Sequence, residues 1–136
     1  MFTSPNGYQL IRDEEGLSLQ VVNDVGGKQM VGYGHDLLPG ESYPNGITLQ
    51  FAEILLGEDV AKCEIAVNAL ASQANQNQFD ALIDFTYNLG RGALATMLSH
   101  GWDQVPEQIV RWDHSGGVVL PGLTARRTKE VELFNS

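Results

Sequence analysis

Apolar residues recur at helical spacing near the N-terminus, where Tyr8, Leu10 and Ile11 fall between Ser4-Pro5 and Gly16. Ser4 followed by Pro5 is a helix start: a hydroxyl that accepts an orphan N–H, then a residue whose missing N–H costs nothing in the first turn. Gly16 is a natural stop, because it tolerates the backbone conformation that closes a helix. At about 100° per residue, Glu15 projects between Tyr8 and Ile11, on the inward stripe of the last turn, while Asp13 and Glu14 point elsewhere. From Leu17 to Asn23 the pattern becomes a loose alternation, and Val21-Val22 favours a strand. Asp24-Val25-Gly26-Gly27 is turn chemistry, and Gln29 to Tyr33 returns as the second strand of a hairpin. Residues 35–46 carry Pro39-Gly40 and Pro44-Asn45-Gly46 and are predicted as loop.

From Thr48, a plausible N-cap, the period is helical again. Phe51, Ile54, Leu55, Val60, Ile65, Val67 and Leu70 predict one long helix to about Leu70. Residues 72–77 are a polar break. Phe79, Leu82, Ile83, Phe85 and Tyr87 form a strongly apolar helix ended by Gly90. Short helices are predicted at 92–99 and 106–112, a loop opening at Ser115-Gly116-Gly117, and a last helix from Pro121 to Phe134. The outline is α+β and mainly helical: a small hairpin lobe at about 17–46, and a larger helical lobe at about 47–136 joined by the N-terminal helix. A cleft is expected between the two.

Composition narrows the class. A chain of 136 residues with 43% hydrophobic and 18% charged residues fits one globular domain, 1–136, with one main core. No apolar run approaches the roughly 20 residues of a membrane span. The segment Met1 to Pro5 has neither the basic nor the apolar region of a secretory signal. Cys63 is the single cysteine, so no intrachain disulfide forms, and folding in a reducing cytosol is the simplest expectation. A net charge of −9 disfavours nucleic acid and long-range attraction to anionic surfaces.

Two carboxylates on different elements facing one cleft suit glycosidic bond cleavage, which needs one protonated acid and one ionised partner. Glu15 and Asp24 are the candidates. A carboxyl on an apolar stripe at a helix C-terminus is poorly solvated and feels the negative end of the dipole, and both raise its proton affinity. The alternative for Glu15 is a solvated acid at a frayed helix end, and the residues alone leave both readings open. Asp24 taken alone reads first as a turn former. His35 has no second His or Cys at ligand spacing, so no metal is expected and a structural pairing is preferred. Gly32-x-Gly34 is too short for a dinucleotide fingerprint. Arg126-Arg127 on a helix reads as a solvated face, although one of them could pair with a buried carboxylate. Trp102 and Trp112 read as core.

The run Glu15-Gly16, Asp24 after eight intervening positions, and Met30-Val31-Gly32-Tyr33-Gly34-His35 resembles the opening pattern of the phage-type lysozymes, the muramidases of glycoside hydrolase family 24. The likeness continues through Ile47-Thr48, Ala52, Leu55-Leu56 and Asp59-Val60, then Gln78 to Leu82 with Phe85 and Tyr87-Asn88-Leu89-Gly90. It ends on Trp112, Gly116-Gly117, Pro121-Gly122-Leu123, Arg126-Arg127 and Glu130. The resemblance implies a two-lobed lysozyme-like fold and hydrolysis of the β-1,4 bond between N-acetylmuramic acid and N-acetylglucosamine. It maps the general acid onto Glu15 and the second catalytic carboxylate onto Asp24. It places substrate contacts at Tyr33, Asn88 and Gly117, and a structural ion pair at His35 and Asp59. It leaves open which of Arg126 and Arg127 pairs with Glu15. It implies no cofactor and no metal, bacterial peptidoglycan as partner, no nucleic acid, and a monomer. It also implies synthesis in the cytoplasm, with the wall reached after holin-type release or delivery by a phage or secretion apparatus. Two departures stand out: the family usually has Thr where this chain has Met30, and often an aromatic where it has Val22. The Thr hydroxyl helps hold the attacking water, and Met is only a weak acceptor. A weakened peptidoglycan-binding module or a transglycosylating variant is therefore the alternative expectation.

Overall fold

The computed structural model describes residues 1–136. Helix α1 spans Pro5–Glu15, and the strands β1 (Ser18–Asn23), β2 (Gln29–Gly32) and β3 (His35–Asp36) follow. Helices α2 (Leu49–Leu70), α3 (Gln76–Leu89) and α4 (Arg91–Leu98) come next, then a 3₁₀ turn at Trp102–Gln104 and α5 (Val105–Ile109). A second hairpin, β4 (His114–Ser115) and β5 (Val118–Val119), precedes α6 (Pro121–Phe134). The first sheet is antiparallel in the order β1-β2-β3. The architecture is mainly helical α+β, with a small sheet lobe beside a larger helical lobe.

The ends of α1 form as its residues dictate. The Ser4 side chain accepts from the Gly7 N–H, and Gly16 closes the helix at φ 69° with its N–H donated to the Arg12 carbonyl. Asp80, wholly buried on α3, accepts from the Ser4 backbone N–H at 3.0 Å, from the Ser4 hydroxyl and from Gln76 Nε2 at 2.9 Å. A carboxylate at the positive end of a helix is favourable, and here it pins α1 onto α3. Gly7 allows the close approach, since a Cβ there would lie 2.8 Å from Asp80 Cγ.

Helix α3 is the hub, buried without a break from Phe79 to Thr86. It is started by a capping box between Asn75 and Gln78, which settles two orphan N–H groups reciprocally. Ile11 of α1, Leu56, Val60 and Val67 of α2, Leu94 and Met97 of α4, Ile109 of α5 and Phe134 of α6 close around it in one core. Trp102 tilts against Phe134 at 5.3 Å between ring centroids, and Trp112 meets the Phe85 edge at 5.8 Å.

Three elements differ from the reading of the sequence. The 35–46 segment opens with a strand, β3, before it becomes loop. The segment at Ser115-Gly116-Gly117 is a tight hairpin whose two glycines stand at φ 58° and 79°. Helix α5 stops at Ile109, three residues short of the expected end, after a 3₁₀ lead-in. Strands of two residues have no room to show a period, and their pairing comes from tertiary position.

Candidate active site

Glu15 is the last residue of α1, and its side chain is only 17% exposed. Its Oε2 accepts from Arg126 Nη1 at 2.6 Å. The Oε1 edge turns toward Gly34, where φ is +72° and an added Cβ would collide with it. Burial pushes the Glu15 carboxyl above the ordinary carboxylate value, against the pull of Arg126 and with help from Asp84 and Asp36. Neighbouring Glu14 instead meets Lys129 Nζ at 2.6 Å, so α6 holds the end of α1 at two points.

The two arginines are buried, not a solvated face: Arg126 is 5% and Arg127 0% exposed. Arg126 directs Nε and Nη2 to the two oxygens of Asp84, each at 2.9 Å. Arg127 lies along Glu130, with Nε 2.8 Å from Oε1 and Nη2 2.9 Å from Oε2, and also reaches Asn88 Oδ1 at 2.8 Å. The Arg127 guanidinium also lies 5.2 Å over the Phe85 ring. Burial and the adjacent Asp84 push the Glu130 carboxyl well up, and burial lowers the proton affinity of Arg127. The resemblance left the partner of Glu15 open between the two arginines; in the structure Arg126 makes the contact.

A groove of about 200 Å³ runs from Glu15 and Gly16 past Val22, Met30 and Gly32 to Gly34. Val22 and Met30 are cross-strand partners in the β1–β2 pairing, so the two departures from the family pattern face each other across one wall. A larger cleft of about 460 Å³ begins at the same Gly34 and continues between α2 and the α3–α4 corner, past His35, Asp59, Cys63, Tyr87 and Arg91. Glu15, Met30 and Gly34 are thus brought together.

Asp24 sits on the exposed tip of the first hairpin and lines neither groove. Its Oδ1 accepts from the Gly26 and Lys28 N–H groups, both at 2.8 Å. That is the Asx-type turn its position predicts, and it leaves Oδ2 unused. Tyr33 points toward α2, its hydroxyl 3.4 Å from Glu53 Oε1, while its carbonyl accepts from the Tyr87 hydroxyl at 2.6 Å. Asn88 is occupied by Arg127, and Gly117 lies at the second hairpin turn.

His35 Nδ1 is 2.6 Å from Asp59 Oδ2, and Nε2 is 3.0 Å from Glu41 Oε1. Burial opposes charge on this imidazole, but the two carboxylates outweigh it and raise its proton affinity above the ordinary value. Glu41, which the sequence did not single out, also accepts from the Leu38 N–H and the Tyr43 hydroxyl, and these bonds lower its pKa to about 2. No three His, Cys, Asp or Glu side chains converge as a metal site, and no helix is long and apolar enough to cross a membrane.

Residues 12–130 match the family described as phage lysozyme. Along its whole length the chain is 39% identical to the endolysin of Bacillus phage PZA, of which it covers 56%. It spans little more than half the length of this endolysin and of the one from Bacillus phage B103, to which it is 35% identical. Among solved structures, the endolysin of Escherichia coli O157:H7 phage FAHEc1 superposes with a TM-score of 0.85 at 32% identity, covering 98% of this chain and 93% of that one. The muramidase domain of SpmX from Asticaccaulis excentricus gives 0.84 at 31% identity, covering 98% and 97%. With the match to the family running across most of its residues and the fold in agreement, the chain belongs to the phage lysozyme family.

Proposed function

We propose that the chain is a muramidase that hydrolyses the β-1,4 bond between N-acetylmuramic acid and N-acetylglucosamine in bacterial peptidoglycan. The observation that carries this reading is Glu15: a carboxyl whose burial favours the protonated form, with one oxygen fixed by Arg126 and the other facing a groove. A general acid working near neutrality needs that state. The endolysins and the muramidase domain it resembles support the same reading. Residues 1–136 act in it as one unit, and no cofactor is called for.

In this mechanism Glu15 protonates the leaving glycosidic oxygen. Asp24, just past the end of β1 and two residues after the groove-lining Val22, meets the glycan at the hairpin tip. Its free Oδ2 stabilises the oxocarbenium-like state and directs water to the opposite face of the ring. Met30 offers only a thioether, and Gln29 faces the other side of the sheet, so a backbone carbonyl holds that water. The enzyme is made in the cytoplasm and meets the wall after release through a membrane lesion or delivery by a phage or secretion apparatus.

Clearing of purified bacterial walls by wild type and Glu15→Gln tests the reading. Loss of about 1,000-fold or more in the variant is expected where a general acid is removed. Equal clearing by both would reject Glu15 as the acid. Met30 in the groove favours one rival, a wall-binding module without turnover. That rival is established if wild type sediments with walls yet releases no reducing sugar. Anhydro-muropeptides among the products would instead indicate a transglycosylase.

A further inference from the structure

The muramidase mechanism uses Glu15 and Asp24 and assigns nothing to Asp84, which is wholly buried on α3 beneath Glu15. We propose that Asp84 is a positioning residue for Glu15: by engaging two edges of Arg126 it takes up the guanidinium's charge, so that the Glu15 carboxyl is oriented by Arg126 yet free to keep its proton. The inference rests on the muramidase reading, because that reading makes Glu15 the acid.

The difficulty it resolves is electrostatic. A guanidinium 2.6 Å from a carboxyl normally holds it ionised, and an ionised Glu15 has no proton to give. Arg126, however, donates from Nε and Nη2 to both oxygens of Asp84, a fork-on-fork pair, and sends only Nη1 to Glu15. One face of α6 carries the rest of the network, with Arg127 against both oxygens of Glu130. Two guanidiniums therefore meet three carboxyls: Glu15 from α1, Asp84 from α3 and Glu130 from α6. Buried charges must be paired, so one of the three carboxyls carries a proton. Asp84 has Arg126 on both oxygens, whereas Glu15 has it on one; Glu130, wholly buried beside Asp84, is itself pushed well up, and its Oε1 lies 2.8 Å from Arg127 Nε without a hydrogen bond. Of the two carboxyls on Arg126, Glu15 is the more weakly held, and its unpaired Oε1 is the one beside Gly34 and the groove.

The other charged or titratable groups facing this network are few. Asp36 on β3 acts on Glu15 in the same direction as Asp84. Asp84 in turn is felt by Cys63 on α2 and by Lys129 and Glu130 on α6, and Tyr87 on α3 faces both Glu15 and Arg126. Among these, Asp84 alone touches the guanidinium that orients the acid. Neutralising it hands the Arg126 charge to Glu15 and draws the proton off.

The test is the pH profile of wall clearing at fixed ionic strength for wild type, Asp84→Asn and Asp84→Glu, with helix content checked for each. In Asp84→Asn the alkaline limb should move to lower pH. The rate at pH 7 relative to that at pH 5 should then fall about tenfold, as expected when an opposite charge beside a carboxyl loses its counter-ion. Asp84→Glu should keep the wild-type ratio. A purely structural Asp84 lowers the rate at every pH and leaves the ratio alone, and that result in a folded variant overturns the proposal. Asp84→Ser, which leaves room for a water on Arg126, serves as the neutral variant if Asn folds poorly. Titration of the Glu15 carboxyl by ¹³C NMR in the same proteins separates the two readings. If wild type clears no wall but the midpoint drops in the neutral variant, the muramidase reading falls and this inference stands. If walls are cleared and the midpoint does not move, the inference falls and the muramidase reading stands.

Discussion

At Gly34 two constraints coincide: the backbone stands at φ +72°, and the missing Cβ is the space that Glu15 Oε1 occupies. Gly34→Ala should therefore act twice. Left-handed backbone costs an alanine about 1–2 kcal/mol, and the methyl pushes the Glu15 carboxyl, the proposed acid, out of line. Displacement of a reacting group by about 1 Å costs on the order of 100-fold in rate. Wall clearing should fall by that much, while a thermal melt shows only the small strain cost. A melt shift with full activity would refute the close fit. Met30 belongs at the same scale. It faces Val22 across β1–β2, so a larger side chain on one strand and a smaller one on the other share a wall of the groove. Met30→Thr alone should leave that wall short of volume, and Val22→Tyr with Met30→Thr should restore it. Clearing rates for the two single variants and the double should be non-additive, as contacting residues generally are; additive rates would show independent roles. Residue roles were only partly legible beforehand. Helical phase placed Glu15 on the inward stripe because phase depends on sequence alone. The partner of Glu15 was not readable, because Arg126 and Arg127 are adjacent and only the packing of α6 on α3 separates them.

At the scale of elements, the ends of α1 and the span of α6 follow from caps and prolines, while β3, β4 and β5 do not. A two-residue strand exists because its neighbours hold it. For β3 the holding is visible: His35 is clamped between Asp59 on α2 and Glu41 in the following loop. The pH dependence of this clamp has a definite sign. The proton affinity of His35 is raised above its ordinary 6.5, so its contribution is full below pH 6.5 and is lost as pH rises through the folded value. Glu41 falls from 4.5 to about 2, so its contribution is full above pH 4.5 and is lost as pH falls toward 2. The clamp is strongest between those limits. Glu41→Gln should destabilise the fold by about 2 kcal/mol there, the scale of hydrogen bonds to charged groups, and by less on either side. Urea midpoints of both proteins from pH 3 to 9 check this, and a difference that does not vary with pH would exclude the charged clamp. Glu41 itself was illegible in the sequence, since a carboxylate in a Pro- and Gly-rich loop looks solvated until the loop folds back onto His35.

Over the whole molecule the net charge of −9 opposes the proposed substrate, because bacterial walls carry anionic polymers. The chain's eight Lys and Arg do not offset this. Arg126 and Arg127 are buried against carboxylates, and Arg12, Lys28 and Lys129 lie in ion pairs with Glu53, Asp36 and Glu14. Of the rest, Lys62 and Arg91 line the larger cleft, two charges against a net of −9, so binding depends mainly on short-range contacts in the grooves on either side of Gly34. Encounter with a like-charged surface is then slowed at low ionic strength and relieved by screening, since the Debye length shrinks from about 30 Å at 0.01 M salt to about 10 Å at 0.1 M. Wall clearing should rise several-fold across that range, the reverse of an enzyme steered by a basic surface. Hydrolysis of a neutral chitooligosaccharide should stay flat across the same range, because that encounter carries no long-range repulsion. A clearing rate that falls as salt is added would mean that an attractive patch exists despite the net charge. A parallel rise on the neutral oligosaccharide would place the effect in the fold or the chemistry rather than in the approach to the wall.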